Sequence, residues 1–229
     1  MTGLATWEEG ELLQQTLRDI EGAGYNAMWG VMNTRRHGVP HNRPRLYVVA
    51  LRQDAISQQF VFPHNIHCPP LRDFICDRRC DGQCYPTTAA SATACSILAN
   101  AAARARDADL DEWAIDIEQP AKRGLQACPC PWLPYLACTR PRSMWLGARC
   151  RYGSLNETVR LQGFDPARLK LQADQGECVA MLGDAMSVNA IERILHGALA
   201  AAGILTGEDR WERGRPRHIS AGTQPPIPT

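Results

Sequence analysis

Apolar positions first recur at helical spacing between Trp7 and Ile20. Leu12, Leu13, Leu17 and Ile20 form one stripe, which stops at Gly22 and Gly24. The period then changes. Tyr25 to Met32 reads as extended, a polar turn follows, and Arg45-Leu-Tyr-Val-Val-Ala-Leu51 is a β-rich run suited to a buried strand. Helix, strand, loop, strand is the order expected at the trailing edge of an α/β sheet. From about Phe60 to Pro86, Pro, Cys, His and Arg crowd out any periodicity. An alanine-rich stretch predicts a helix over Thr88 to Ala103, Trp113 to Ile117 reads as a strand, and Gln119 to Tyr152 reads as an arginine-bearing loop region. Ser154-x-x-Glu157 is a capping box opening a short helix through Leu161. A stronger helix is expected after the turn at Gly183, with Val188, Ile191, Ile194, Leu195 and Leu199 on one stripe. Beyond Gly207 the chain turns polar and proline-rich, which predicts disorder over 207–229. There is no internal repeat.

Composition narrows the class. The 229 residues suffice for a core that needs no covalent staples. A net charge of +1 excludes a global polyelectrolyte signature. Lys122 and Lys170 are the only lysines, so the basic charge is almost all arginine. Guanidinium forks suit phosphates and guanine edges, although arginine richness alone also follows from a GC-rich genome. Glu8, Glu9 and Glu11 follow Met1 closely where a signal peptide needs an apolar run, and no stretch approaches transmembrane length. Ten cysteines without a secretory signal read as reduced thiols, so a nuclear or cytoplasmic, non-secreted protein is expected, and the Asn156-Glu157-Thr158 sequon is expected to be idle.

Three segments carry the candidate chemistry. Gly38-Val-Pro-His-Asn-Arg-Pro-Arg45 runs into the second strand. Thr158-Val-Arg-Leu-Gln-Gly-Phe-Asp-Pro166 follows the capping box. Leu182-Gly-Asp-Ala-Met-Ser-Val-Asn189 runs into the last helix. In this order they resemble the late signature motifs of the DNA cytosine-5 methyltransferases, and Pro134-Tyr-Leu-Ala-Cys-Thr-Arg140 resembles the stretch that closes that family's target-recognition region. The resemblance covers roughly residues 7–66 and 113–206. It implies the C-terminal portion of a doubly wound α/β, S-adenosylmethionine-dependent methyltransferase sheet with an inserted irregular recognition region. It also implies double-stranded DNA as partner and S-adenosylmethionine as cofactor. Carried over residue by residue, Arg43 and Arg45 lie at the active site, holding the flipped cytosine or its flanking phosphate. A permanently charged planar donor suits that task, because it can bond the base carbonyl and offset charge building on the ring. Gly183, Asp184, Ala185, Met186 and Ser187 fall near the cofactor, and Arg140, Arg142, Arg149 and Arg151 become the recognition-loop arginines for phosphate or groove contacts.

Two departures stand out. His41 replaces the family's glutamine, and Asp184 replaces an asparagine, which removes an amide donor and adds a negative charge; an N-cap role is the commonest use of such an aspartate. The family's glycine turn for the cofactor, its Pro-Cys nucleophile and its Glu-Asn-Val precede the Gly-Val-Pro segment, and none lies among residues 1–37. Gly22-Ala-Gly24-Tyr-Asn-Ala27 has dinucleotide-like lettering, but it ends a helix where a cofactor cradle opens one. Pro129-Cys130 reads as a loop cysteine. The expected organisation is therefore 1–66, trailing part of the catalytic domain; 67–150, recognition region; 151–206, a return segment with its docking helix; and 207–229, tail. A second chain bearing the rest of the catalytic domain, or poor autonomous stability, is expected from the apolar faces this leaves. The alternatives are a catalytically dead remnant that at most binds DNA and, last, a zinc module on Cys76, Cys80 and Cys84 with Cys68, His64 and His67 nearby. Their spacing is not the usual C-x2-C, and packing or chance explains it equally, so no metal is assigned.

Overall fold

A computed structural model of the chain describes residues 10–76, 91–117, 128–134, 144–170 and 172–213. Helix α1 (Glu11–Gly22) docks through Leu13 and Leu17 of the expected stripe, whereas Leu12 is half exposed and Ile20 only partly buried. It leads into β1 (Tyr25–Asn33), which pairs antiparallel with β2 (Pro44–Arg52), in register from Tyr25 opposite Arg52 to Asn33 opposite Pro44. Strand alternation then sorts the side chains. Met28 and Met32 of β1 and Tyr47, Val49 and Leu51 of β2 pack with Phe60, Phe62 and one face of the last helix. The opposite face leaves Tyr25, Trp29, Val31 and Val48 more than a third exposed. Gly30 suits this packing, because a Cβ there would stand 3.2 Å from the Phe62 ring, which would have to shift by a few tenths of an ångström.

A second small sheet holds the other half together. Strands β3 (Ala114–Asp116), β4 (Met144–Leu146) and β5 (Arg151–Tyr152) pair antiparallel in that order. Helix α2 (Ser91–Asp107) covers one side of it through Leu98, Ala101 and Ala105 against Ile115 and Trp145. On the other side Ala114, Met144 and Leu146 join Val39, Leu71, Phe74, Ile75, Leu133, Leu161 and Trp211 in a central cluster. Helix α3 (Leu155–Leu161), helix α4 (Gln175–Asp184) and helix α5 (Val188–Ala201) complete the described elements. The architecture is α/β with small antiparallel sheets.

The capping box forms as read. The Ser154 hydroxyl accepts from the Glu157 amide at 3.3 Å, and the Glu157 carboxylate accepts from the Ser154 amide at 2.7 Å. Replacing Ser154 by alanine is expected to cost about 1 kcal/mol, the usual worth of an N-cap. An unchanged urea midpoint for S154A would show that Glu157 alone satisfies the helix start.

Several elements differ from expectation, among them β4 and β5, which lie within the stretch 119–152 expected as loop. Helix α4, capped by the Asp174 carboxylate accepting from the Glu177 amide at 2.9 Å, occupies a stretch that carries no apolar stripe and contains Gly176. The disorder expected over 207–229 does not hold for residues 208–213. Trp211 is 2% exposed there, its amide donates to Asp209, and its indole N–H donates to Glu192 at 2.7 Å. A polar stretch is ordered because its charges meet partners. The Arg193 guanidinium, fully buried, takes Asp209 at 2.5 Å and Glu212 at 3.2 Å.

Candidate functional site

The three segments singled out in the sequence meet in one buried knot. Between β1 and β2 the chain makes a short 3-10 turn (Thr34–His37), then Gly38 at φ 93°, then the strip through Arg43. At that φ only glycine is unstrained, and a Cβ would also press on Trp211 at 3.3 Å. Gly38 thus turns the strip over the central cluster. Arg43 is 1% exposed, and one guanidinium nitrogen donates to the Gly183 carbonyl at 2.6 Å and to the Ala185 carbonyl at 2.7 Å. These carbonyls close α4, where the helix end is electronegative and its last C=O groups need donors.

Gln162 ties the third segment in. Its side-chain amide donates to the Leu182 carbonyl, its Oε1 accepts from the Ser187 hydroxyl at 3.1 Å, and its backbone carbonyl accepts from the Val188 amide at 3.0 Å. Thr34 donates to the Ser187 hydroxyl at 2.7 Å, and the Asn189 amide reaches the carbonyls of Thr34 and His37 at 3.2 and 2.7 Å. His41 is wholly buried, with Nδ1 3.1 Å from the Leu161 carbonyl, so the tautomer that fits carries its proton on Nδ1. Burial first, then the adjacent Arg43 charge, lowers the His41 pKa to about 3. The ring is neutral near pH 7 and does the job an amide would.

The remaining site residues separate into two kinds. Arg45 is half-buried at the start of β2 and donates to the Pro44 carbonyl at 2.9 Å. Within 183–187, Gly183 and Ser187 are buried, whereas Asp184 and Met186 are exposed. Asp184 closes α4, so the N-cap use expected of it does not occur; Ser187 holds that position before α5. Arg149 and Arg151 turn inward. Arg149 pairs with Glu112 at 2.8 Å and donates to the Cys76 carbonyl, while Arg151 makes a two-pronged pair with Glu157 at 2.7 and 2.8 Å. Burial alone would raise the Glu157 pKa, but hydrogen bonds from Arg151 and from the Ser154 and Cys76 amides outweigh it and lower it. In this arrangement both arginines anchor the end of the 67–76 segment. Arg140, Arg142, Cys80 and Cys84 lie outside the described residues. Among the described residues no three His, Cys, Asp or Glu side chains converge as a metal site.

Several residues of the knot escaped the sequence reading as site residues. Thr34 carries no local signal, and Asn189 closed a quoted segment without a role being read for it. Gln162 stood in a quoted segment, and its role as the joint emerges only when Leu182 and Ser187 are brought to it.

Residues 1–105 match the family model of the C-5 cytosine-specific DNA methylases. A stretch of 65 residues is 35% identical to the type II methyltransferase M.BsuRI of Bacillus subtilis, covering 28% of this chain and 15% of that protein. Among solved structures, the Entamoeba histolytica methyltransferase EhMeth is similar with a TM-score of 0.53 at 12% identity, over 85% of this chain and 59% of that one. The S. pombe Dnmt2 methyltransferase is similar with a TM-score of 0.53 at 13% identity, over 85% and 63%. These likenesses show the fold, and the chain spans about six-tenths of both solved chains. No helix among the described residues is long and apolar enough to cross a membrane.

Proposed function

We propose that this chain is the C-terminal part of a DNA cytosine-5 methyltransferase, supplying DNA recognition and part of the active site for methyl transfer to cytosine C5. The observation that carries the reading is the knot: the strip ending in Arg43 and Arg45, the Gln162 segment and the 183–189 segment join through direct hydrogen bonds. Within it Arg43 is a positioning residue, since its Nη2 donates to two backbone carbonyls. Arg45, two residues on and less buried, is the better placed of the pair to meet an extruded base or its phosphate.

S-adenosylmethionine supplies the methyl group in such a reaction. The only charged side chain that 183–187 turns outward is that of Asp184, an acceptor-only group. It fits the ammonium end of the cofactor and does not fit its carboxylate. These residues alone therefore do not make the cofactor site. What this chain does itself is hold Arg45 on a rigid strand and fix the 183–187 turn against it. Arg140 and Arg142 remain the proposed recognition-loop contacts to double-stranded DNA; Arg149 and Arg151 shape that region from within. A nuclear or cytoplasmic location goes with this reading. The comparisons do not support a second chain.

The test is transfer of tritiated methyl groups from S-adenosylmethionine to duplex DNA, with this chain and with the longest reading frame that contains it. Loss of at least 100-fold in rate is expected for Arg45→Ala at an unchanged melting temperature, as for removal of one transition-state donor. DNA binding without methyl transfer in either protein would favour the second reading, a catalytically silent DNA-binding remnant; absence of both would end the proposal.

A further inference from the structure

Beside the knot lies a cleft of about 480 Å³ that the reading above does not use. Its walls are the start of the Arg43 strip (Arg35, Arg36 and Pro40), the segment from Asn65 to Pro70, and Pro131 with Trp132. The segment bearing Trp132 is stitched to the strip: the Leu133 amide donates to the Pro40 carbonyl at 2.7 Å, and the Asn42 amide to the Leu133 carbonyl at 2.8 Å. The two walls are therefore fixed relative to each other and to Arg43.

The charge in this cleft is of one sign. Arg35 stacks its guanidinium over the Trp132 indole, 4.0 Å from the ring centroid, which holds the side chain in place and leaves its N–H edge for an oxyanion. Arg36 is exposed beside it. Among the described residues no carboxylate pairs with Arg35 or Arg36, in contrast to Arg149, Arg151 and Arg193. The neighbouring Cys68 thiol does not cancel the charge either, since burial raises its pKa to about 11 and keeps it neutral. A preorganised guanidinium with an unpaired neighbour and an apolar proline–indole wall has the chemistry of a site for a phosphate with its attached sugar.

We infer that the Arg35–Arg36–Trp132 cleft grips a backbone phosphate of the duplex DNA on which the Arg43–Arg45 strip acts. The inference rests on the proposed function for its choice of ligand. Duplex DNA is favoured because the cleft and the knot share one continuous strip, so a strand that enters the cleft is led toward Arg45. Contacts of this kind set register and carry no sequence preference.

The experiment is fluorescence anisotropy of a labelled mixed-sequence 20-bp duplex titrated with the full chain at several salt concentrations. The proteins are wild type, Arg35→Ala, Arg36→Ala and Trp132→Leu, each checked for an unchanged melting temperature. Removing Arg35 is expected to weaken binding about tenfold for every duplex sequence and to reduce the salt slope by about one counterion. Arg36→Ala, an exposed change, is expected to reduce the same slope while leaving the fold untouched, so the idea does not depend on the stacked pair surviving mutation. Wild-type binding that Arg35→Ala and Arg36→Ala leave unaltered in affinity and slope would overturn this inference and leave the methyltransferase reading standing. No wild-type binding to any duplex would overturn both. Full competition by millimolar inorganic phosphate would make the cleft a small-anion site and overturn its assignment to DNA.

Discussion

Replacing Arg43 by methionine is expected to cost about 3–5 kcal/mol of unfolding free energy, read as a lower urea midpoint at unchanged slope. The side chain is 1% exposed and its Nη2 supplies donors to the carbonyls of Gly183 and Ala185 at 2.6 and 2.7 Å. Methionine fills similar volume but leaves those acceptors without their donor, at roughly 1–3 kcal/mol each. A positive charge against the C-terminal end of α4 adds a favourable dipole contact that methionine also removes. Swapping a buried ion pair for apolar residues can be neutral, but that holds when both partners go. Here the acceptors are backbone and stay. Arg43→Lys is expected to fall between, because a point charge cannot reproduce the planar fork. A methionine variant within about 0.5 kcal/mol of wild type would mean that the turn at 183–187 does not depend on Arg43, and the knot would lose its centre.

That prediction was half visible in the sequence. Local signals were strong for β1 and β2, for the Ser154–Glu157 cap and for the stripe of α5, and these elements form where expected. Alternation and capping are short-range properties, so one stretch of chain suffices to read them. Helix α4 lacked such a signal: its apolar positions do not line one face, and it is held by its Asp174 cap and by Gln162 and Arg43 at its far end. Strand β4 is three residues long and buried throughout, too short for a period to show. The charged residues were the hardest to read. Arg149 and Arg151 have the composition of a groove contact, but Glu112 lies 37 residues before Arg149, and nothing near it announces the pairing. The same holds for 208–213, polar in composition yet anchored by Trp211 and by a buried arginine 16 residues earlier. An arginine's partner, carboxylate or phosphate, is a tertiary fact.

Acid is expected to destabilise the fold well above the carboxylate range, by about 3 kcal/mol between pH 6.5 and pH 5. The cause is two buried neutral histidines in the knot. His41 is lowered to about 3 by burial and then by the Arg43 charge. His37 is lowered to about 4 by burial and then by Arg193, whose guanidinium donates to its Nδ1 at 2.6 Å; the nearby Asp209 opposes this, while His64 and Arg36 reinforce it. Both folded values lie below the ordinary 6.5. The unfolded chain therefore binds protons that the folded chain refuses as pH falls, and stability declines from about pH 6.5 down to the folded values. At pH 5 each histidine accounts for roughly 2 kcal/mol by this linkage. Glu157 acts in a separate and lower window. Its carboxyl is held below the ordinary 4.5, so its contribution is intact above that value and disappears only as pH drops further. His41→Gln separates the terms. A glutamine amide can donate to the Leu161 carbonyl as the ring does and has nothing to titrate. The variant should match wild type at pH 7.5 to within about 1 kcal/mol and lose about half of the slope between pH 6.5 and pH 5. A wild-type stability that stays flat from pH 7 to pH 5 would show that the histidines become charged without penalty, and the knot would have to be far wetter than its burial indicates.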